Sequence, residues 1–376
     1  MKKILLVDVG GLWYFRMLRN SLESKADVTV VTKYYTDQEN VYSYFFPLSE
    51  RMKDGSKLRK IFRGVEYYLG CIRTLRLVKR EKFDIIHVQW ALVPVIDKMF
   101  FKRAKKYVKK LVYTAHDVIP HDGNKNKIKQ LGSLYQEPDC IIVHGYYCKL
   151  EMHHYFPQIS KKVYIQKHGV YEKKETTLSE KVKKKHGALV KRKNTVIFSV
   201  IGQIGEHKGV DLVLKAWKKY QDLENVTLLV AGKTLDPYKE KFKQYEDYCK
   251  NTPNIYFYNQ RFDAEEENLF YSISDIILLP YRKASMSGVV FSAVQYNKTI
   301  LTTGAGCIRE YVESALDHVI FCKPYLKSVE KAIGKILDLD NPKSQLREMG
   351  IKFSDIFYKL YDWDDITDKL IDEVYS

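Results

Sequence analysis

Three short stretches of the chain carry residues whose types and spacing could do chemistry. In IILLPYRKASMSGVV an apolar run ends at a proline, small turn-prone residues follow, and a helix starts near Val289. An anion at such a helix start meets unpaired backbone N–H groups and the positive end of the helix dipole, and Ser287 and Gly288 let a diphosphate approach closely. YTAHDVIPHD sets His116, Asp117, His121 and Asp122 at the end of a strand. Titratable groups clustered there favour a site over a set of structural histidines. GQIGEHKG holds Gln203 and Lys208 just before a helix, where the dipole opposes a lysine with nothing to bind. The plain alternatives are an ordinary strand–helix turn, core histidines and an exposed lysine.

The elements that must position these residues alternate strand and helix. Lys3 to Val9 is a strand; Gly10 and Gly11 turn it into an amphipathic helix from about Trp13 to Ser24, and would bring backbone close to a ligand above the strand ends. DVTVVTK, DIIHVQW, LVYTAHD, DCIIVHG and KVYIQKHGV supply the later strands of a first half. A second half restarts at TVIFSVIG and continues through VTLLVAG, NIYFYN, IILLP and TILTTG. The absence of GxGxxG after the first strand argues against a dinucleotide. Arg261, on the turn after NIYFYN, could stack on a base or pair with Glu265.

A chain of 376 residues, 45% apolar and 29% charged, suits two α/β domains. The lysine-rich stretch Tyr171 to Asn194 reads as a basic linker between them. No apolar run is long enough to span a bilayer, and six scattered cysteines without a CxxC pair fit reduced cytosolic thiols. The net charge of +17 implies negatively charged partners. Phe45, Phe46 and Leu48 lie close to Arg51, Lys53, Lys57, Arg59, Lys60 and Arg63, and FFKRAKKYVKKL repeats the combination, which suits an anionic membrane surface. A solvated helix packed on the sheet is the alternative there. No nucleic-acid recognition module stands out, so no nucleic-acid partner is expected. Asp362 and Asp364 form a DxD, but DWDD reads as a helix N-cap, and no catalytic metal is expected.

Taken together, HDVIPH, GQIGEHKG, the RFDAEE turn and SGVVFSA resemble, in order and over nearly the whole chain, glycosyltransferase family 4 and its GT-B relatives. The resemblance implies two Rossmann-like domains facing a cleft: residues 1–170 for the acceptor, 171–194 as linker, 195–355 for the nucleotide-sugar, and a final helix over 356–376 crossing back to the first domain, with Trp363 as its anchor. It places His116 near the donor sugar and His121 toward the acceptor. Lys208 and the backbone at Gly288, Val289 and Val290 would hold the donor diphosphate, making His116 and Lys208 the catalytic pair. Gln203 stands where an arginine is usual, and Ser292 stands where a ribose-binding glutamate is usual. Arg261 and Phe262 belong to the turn that meets the base.

The implied activity is metal-independent, retaining transfer of a hexosyl group from a UDP- or GDP-sugar, with no cofactor. The acceptor implied is a lipid-linked saccharide in surface polysaccharide assembly, with the enzyme cytoplasmic and peripheral on the inner face of the membrane. An epimerase of the same fold and a non-catalytic partner subunit are the alternatives.

Overall fold

The computed structural model describes residues 1–10, 12–33, 38–52, 56–120, 124–174, 178–235 and 238–376. The chain folds into two units, Met1–Gly169 with Tyr361–Ser376, and Val170–Leu360.

The first unit is built on seven strands: β1 (Lys3–Asp8), β2 (Asp27–Thr32), β3 (Val41–Ser43), β4 (Ile85–Val88), β5 (Lys110–Thr114), β6 (Cys140–Val143) and β7 (Val163–Ile165). All pair in parallel, in the order β3-β2-β1-β4-β5-β6-β7. Ile4, Leu5 and Leu6 are fully buried in succession, which fits a sheet with helices on both faces and would not suit one with a wet side. The strand order reverses between β1 and β4, so the loops after these two strands flank the crevice where open α/β sheets take ligands.

Helix Leu12–Glu23 follows β1 and buries Tyr14, Leu18 and Leu22 at four-residue spacing. Against it lies helix Trp363–Lys369, whose N-cap is Asp362; the Asp362 carboxylate accepts the N–H groups of Asp364 and Asp365. Ser21 and Thr367 hydroxyls meet at 2.7 Å, and the Trp363 ring lies 5.2 Å from that of Tyr14. Beyond that helix, the Tyr375 hydroxyl reaches Nδ1 of His87 in β4 at 2.6 Å.

Six parallel strands make the second unit: β8 (Val196–Ile201), β9 (Val226–Ala231), β10 (Ile255–Tyr258), β11 (Ile276–Leu279), β12 (Thr299–Thr302) and β13 (Ile320–Phe321), in the order β10-β9-β8-β11-β12-β13. Here the order reverses between β8 and β11. Trp217 fills the core beneath β8, edge-on to Phe198 at 5.5 Å, with its indole N–H donating to Asn254. Burying such a side chain contributes on the order of 2–3 kcal/mol.

Two stretches pack more closely than their composition suggests. Residues 178–194, expected as linker, fold onto the second unit as helices Glu180–Lys185 and Gly187–Val190. Val182, His186 and Leu189 are buried at helical spacing, and the His186 imidazole sits 2.9 Å from Glu266, so the lysines are only the wet side of a packed segment. Phe45 and Phe46, read beside basic residues as suiting a membrane surface, are also buried, whereas Phe62, Tyr68 and Tyr107 of the same two stretches are exposed. Phe45 occupies the space Gly70 leaves, and Phe46 stacks on Tyr67, with Arg63 3.8 Å above its ring. Phe100 and Phe101 likewise face inward.

Candidate active site

In the second unit the chemistry collects at the strand reversal. The loop after β8 runs from Gly202 to Gly209 and is fastened to the segment after β11. Gly209 has φ +67°, and a Cβ there would lie 2.0 Å from the Pro280 carbonyl oxygen, so backbone meets backbone only because the residue is glycine. Arg282 seals the junction. Its backbone N–H donates to His207 O at 2.8 Å, and its guanidinium grips Asp211 through two bonds of 2.7 and 2.8 Å. Burial pushes the Asp211 carboxyl up, but the hydrogen bonds and charge of Arg282 outweigh it and hold the group below the usual carboxylate range.

That junction aims Lys208. Its Nζ lies 4.0 Å above the Tyr281 ring, and the Tyr281 hydroxyl is 3.1 Å from that of Ser287. Ser287 is the N-cap of helix Gly288–Gln295, yet its side chain does not cap the helix. The Val289 side chain lies 3.6 Å from where a Cβ on Gly202 would stand, so the β8 loop and the helix start adjoin. A Cβ on Gly288 would come 3.1 Å from the Tyr171 hydroxyl, which crowds that side of the helix start. The structure thus brings together Lys208, Ser287, Gly288 and Val289, an ammonium beside a helix N-terminus. This arrangement can bind a phosphate.

The remaining expected donor residues are placed differently. The Val290 N–H donates to Ser287 O at 3.2 Å, so this third amide of the expected cradle is already used. Gln203 is exposed on the same loop. Arg261 is exposed, while the Phe262 ring sits edge-on to Phe270 at 5.1 Å and packs on its own unit. The Ser292 hydroxyl bonds the phenol of Tyr271, a ring that stacks on Tyr296 at 5.0 Å.

In the first unit a second cluster sits above the other strand reversal. Trp90, just after β4, stacks on His116 with centroids 4.3 Å apart, and a Cβ on Gly10 would touch the Trp90 ring at 3.2 Å. Tyr14 meets His116 edge-on at 5.0 Å. Nδ1 of His116 is 2.9 Å from Nε2 of His144, whose Nδ1 is 3.1 Å from the carbonyl oxygen of Gln166. Burial lowers all three histidines of the cluster: His116 falls well below its ordinary value, His144 to about 4 and His168 to about 3. They are neutral at pH 7. Nε2 of His116 and the indole Nε1 of Trp90 are shielded from solvent and have no hydrogen-bond partner among the described residues. A site that leaves one acceptor and one donor unpaired suits a hydroxyl-bearing ligand.

Gly11 and His121 lie outside the described residues. Sequence reasoning did not select Tyr14, Trp90, His144 or His168. For the two histidines there is a signal: His144 and His168, like His116, lie within three residues of the C-terminal ends of parallel strands. His87 and Gln89 instead face inward, His87 being bound to Thr114 and Tyr375. Among the described residues no group of three or more histidines, cysteines or acids could hold a metal ion.

Comparison with known proteins bears on the family and the fold. Residues 10–173 match the model of Glycosyltransferase Family 4, and residues 181–353 match that of Glycosyl transferases group 1. A 131-residue segment is 27% identical to glycogen synthase of Finegoldia magna, covering 33% of this chain and 26% of that protein. The chain therefore spans about a quarter of this curated relative. Among solved structures, HepE of Anabaena in complex with UDP-glucose shares the fold with a TM-score of 0.72 at 13% identity over 100% of both chains. Sucrose-phosphate synthase of Thermosynechococcus elongatus does so with a TM-score of 0.72 at 14% identity, over 100% of this chain and 99% of that one. With both halves matched in order and two parallel α/β sheets, the chain belongs to the GT-B glycosyltransferases of the family 4 type.

Proposed function

We propose that this enzyme moves a hexosyl group from a UDP- or GDP-sugar to a lipid-linked saccharide in surface polysaccharide assembly, with retention of configuration and without metal. The observation that carries the donor half is the meeting of Lys208 with the start of helix Gly288–Gln295. As the glycosidic bond of the donor breaks, negative charge grows on the leaving diphosphate. The Lys208 ammonium and the amides of Gly288 and Val289 are fixed where they neutralise it. UDP-glucose bound to the Anabaena relative supports a nucleotide-sugar as the ligand.

His116 positions the sugar. Its Nε2 accepts a hydrogen bond from a sugar hydroxyl, and the Trp90 indole closes the same wall of the site. Retention follows from the family, in which no general base is required opposite the leaving group. The lipid-linked acceptor rests on the excess of basic residues, which draws the protein to an anionic leaflet on the cytoplasmic face.

Isothermal titration with UDP- and GDP-sugars names the donor. Proton NMR of the product made with that donor then reads the anomer, with chelator present and absent. An inverted linkage, or loss of turnover in chelator, would overturn the corresponding part of the reading. Conversion of the donor sugar with no acceptor present would make the protein an epimerase instead.

A further inference from the structure

Helix Lys57–Glu81 has two contrasting faces. One buries Tyr67, Cys71, Leu77 and Val78 in the first unit. The other, turned to solvent, carries Leu58, Ile61, Phe62, Val65, Tyr68 and Leu69, all exposed; Leu58 and Ile61 are each 64% exposed and Val65 53%. Their spacing of three and four residues makes one continuous stripe. A continuous exposed apolar stripe on a helix already packed by its other face marks a surface that meets an apolar medium.

Charge selects that medium. Further along the same outward face the stripe gives way to Arg73, Arg76, Lys79 and Arg80, of which Arg73, Arg76, Lys79 and Arg80 are all exposed. The whole helix has eight basic residues and two acidic ones. Neither acid faces outward unpaired. Glu66 turns inward to accept the N–H groups of Leu48 and Ser49, and Glu81 pairs with Lys3 and Arg80. Two copies of this face would set like charges against each other, whereas an anionic bilayer offers acyl chains to the stripe and phosphates to the arginines.

We infer that helix Lys57–Glu81 lies in the surface of an anionic membrane, with the stripe from Leu58 to Leu69 inserted among the acyl chains and Arg73 to Arg80 on the lipid phosphates. This extends the membrane part of the proposed function from attraction by charge to insertion. It is read without any sugar substrate, so its failure and the failure of the transfer reading are separate results.

The test is co-sedimentation with phosphatidylglycerol–phosphatidylcholine vesicles and with phosphatidylcholine alone, at low and high salt. The full chain should bind the anionic vesicles and keep a salt-resistant bound fraction. Ile61→Ser, Val65→Ser and Leu69→Ser combined should lower the partition coefficient about tenfold or more at every salt concentration. Arg73→Ser with Arg76→Ser should weaken binding chiefly at low salt. Because the substituted residues are exposed, circular dichroism should be unchanged. A Phe62→Trp reporter, with nothing else altered, should shift to shorter emission wavelength on anionic vesicles and be quenched by brominated acyl chains. Unchanged partition of the triple serine variant, or a reporter that neither shifts nor is quenched, overturns the inference. So does concentration-dependent self-association in sedimentation velocity that the triple variant abolishes, which would assign the stripe to a second copy of the chain.

Discussion

His116 Nδ1 stands 2.9 Å from His144 Nε2, and this one contact fixes the chemistry of the ring beyond it. The Gln166 carbonyl can only accept, so His144 carries its proton on Nδ1 and presents a bare Nε2. His116 must then donate from Nδ1, which leaves its own Nε2 as an acceptor. Nitrogen-15 NMR of the neutral protein should show a pyrrole-type Nδ1 and a pyridine-type Nε2 at His116. His144→Phe removes the acceptor and should scramble that assignment while lowering kcat roughly tenfold to a hundredfold, with the nucleotide affinity unchanged. His116→Ala should lose at least as much.

Lys208→Ala should cut kcat/KM by a factor of about 100 to 1,000, the loss usual when one preorganised charge-stabilising group is removed. Thermal melting should stay near that of the parent, since Lys208 packs only on the Tyr281 ring in the contacts described. Steady-state kinetics beside a melting curve checks both halves.

Arg282→Ala leaves the Asp211 carboxylate buried without its bidentate partner and unpins the two loops that aim Lys208. The expected cost is roughly 1–3 kcal/mol of stability, together with a raised KM for the donor. Arg282→Lys should recover little of either, because an ammonium cannot make the two parallel bonds. Urea denaturation and donor titration of both variants give the comparison.

Acid should loosen the first unit before the second. His87, His116, His144 and His168 are held neutral by burial, with His87 and His168 lowered to about 3 and His144 to about 4. The unfolded chain binds their protons from about pH 6.5 downward, whereas the folded chain resists until far lower pH. Their stabilisation is therefore complete above pH 6.5 and is lost as pH falls toward those depressed values. Tryptophan fluorescence followed through urea at neutral pH and at about pH 5 should show the midpoint drop, and His144→Phe should flatten part of that dependence.

The fold and the residues gathered at the start of helix Gly288–Gln295 were legible because their signals are local. IILLP ending at a proline, SMSG before a helix and a lysine before Gly209 can each be read within ten residues. The His116 cluster was only half legible. His116 stands out in its loop, but its partners arrive from β1, β4 and β6, so Tyr14, Trp90 and His144 join it through strand order alone. Composition misled where one pattern serves two environments. Phe45 and Phe46 sit among arginines as a membrane segment would, yet they turn into the space beside Gly70 and Tyr67, while the exposed apolar stripe lies a few turns further on. Lysines hid the packed segment at 178–194 in the same way, because only Val182, His186 and Leu189 mark its inner face.

Tyr375 bonded to His87 makes the first unit discontinuous in the chain. A ribosome releases β1 to β7 first and must then deliver all of Val170–Leu360 before Trp363 and Tyr375 emerge. During that interval the nascent first unit holds a His87 imidazole without its phenol and a Tyr14 without the indole beside it. The unit encoded later can thus finish folding sooner, and the order of completion is the reverse of the order of synthesis.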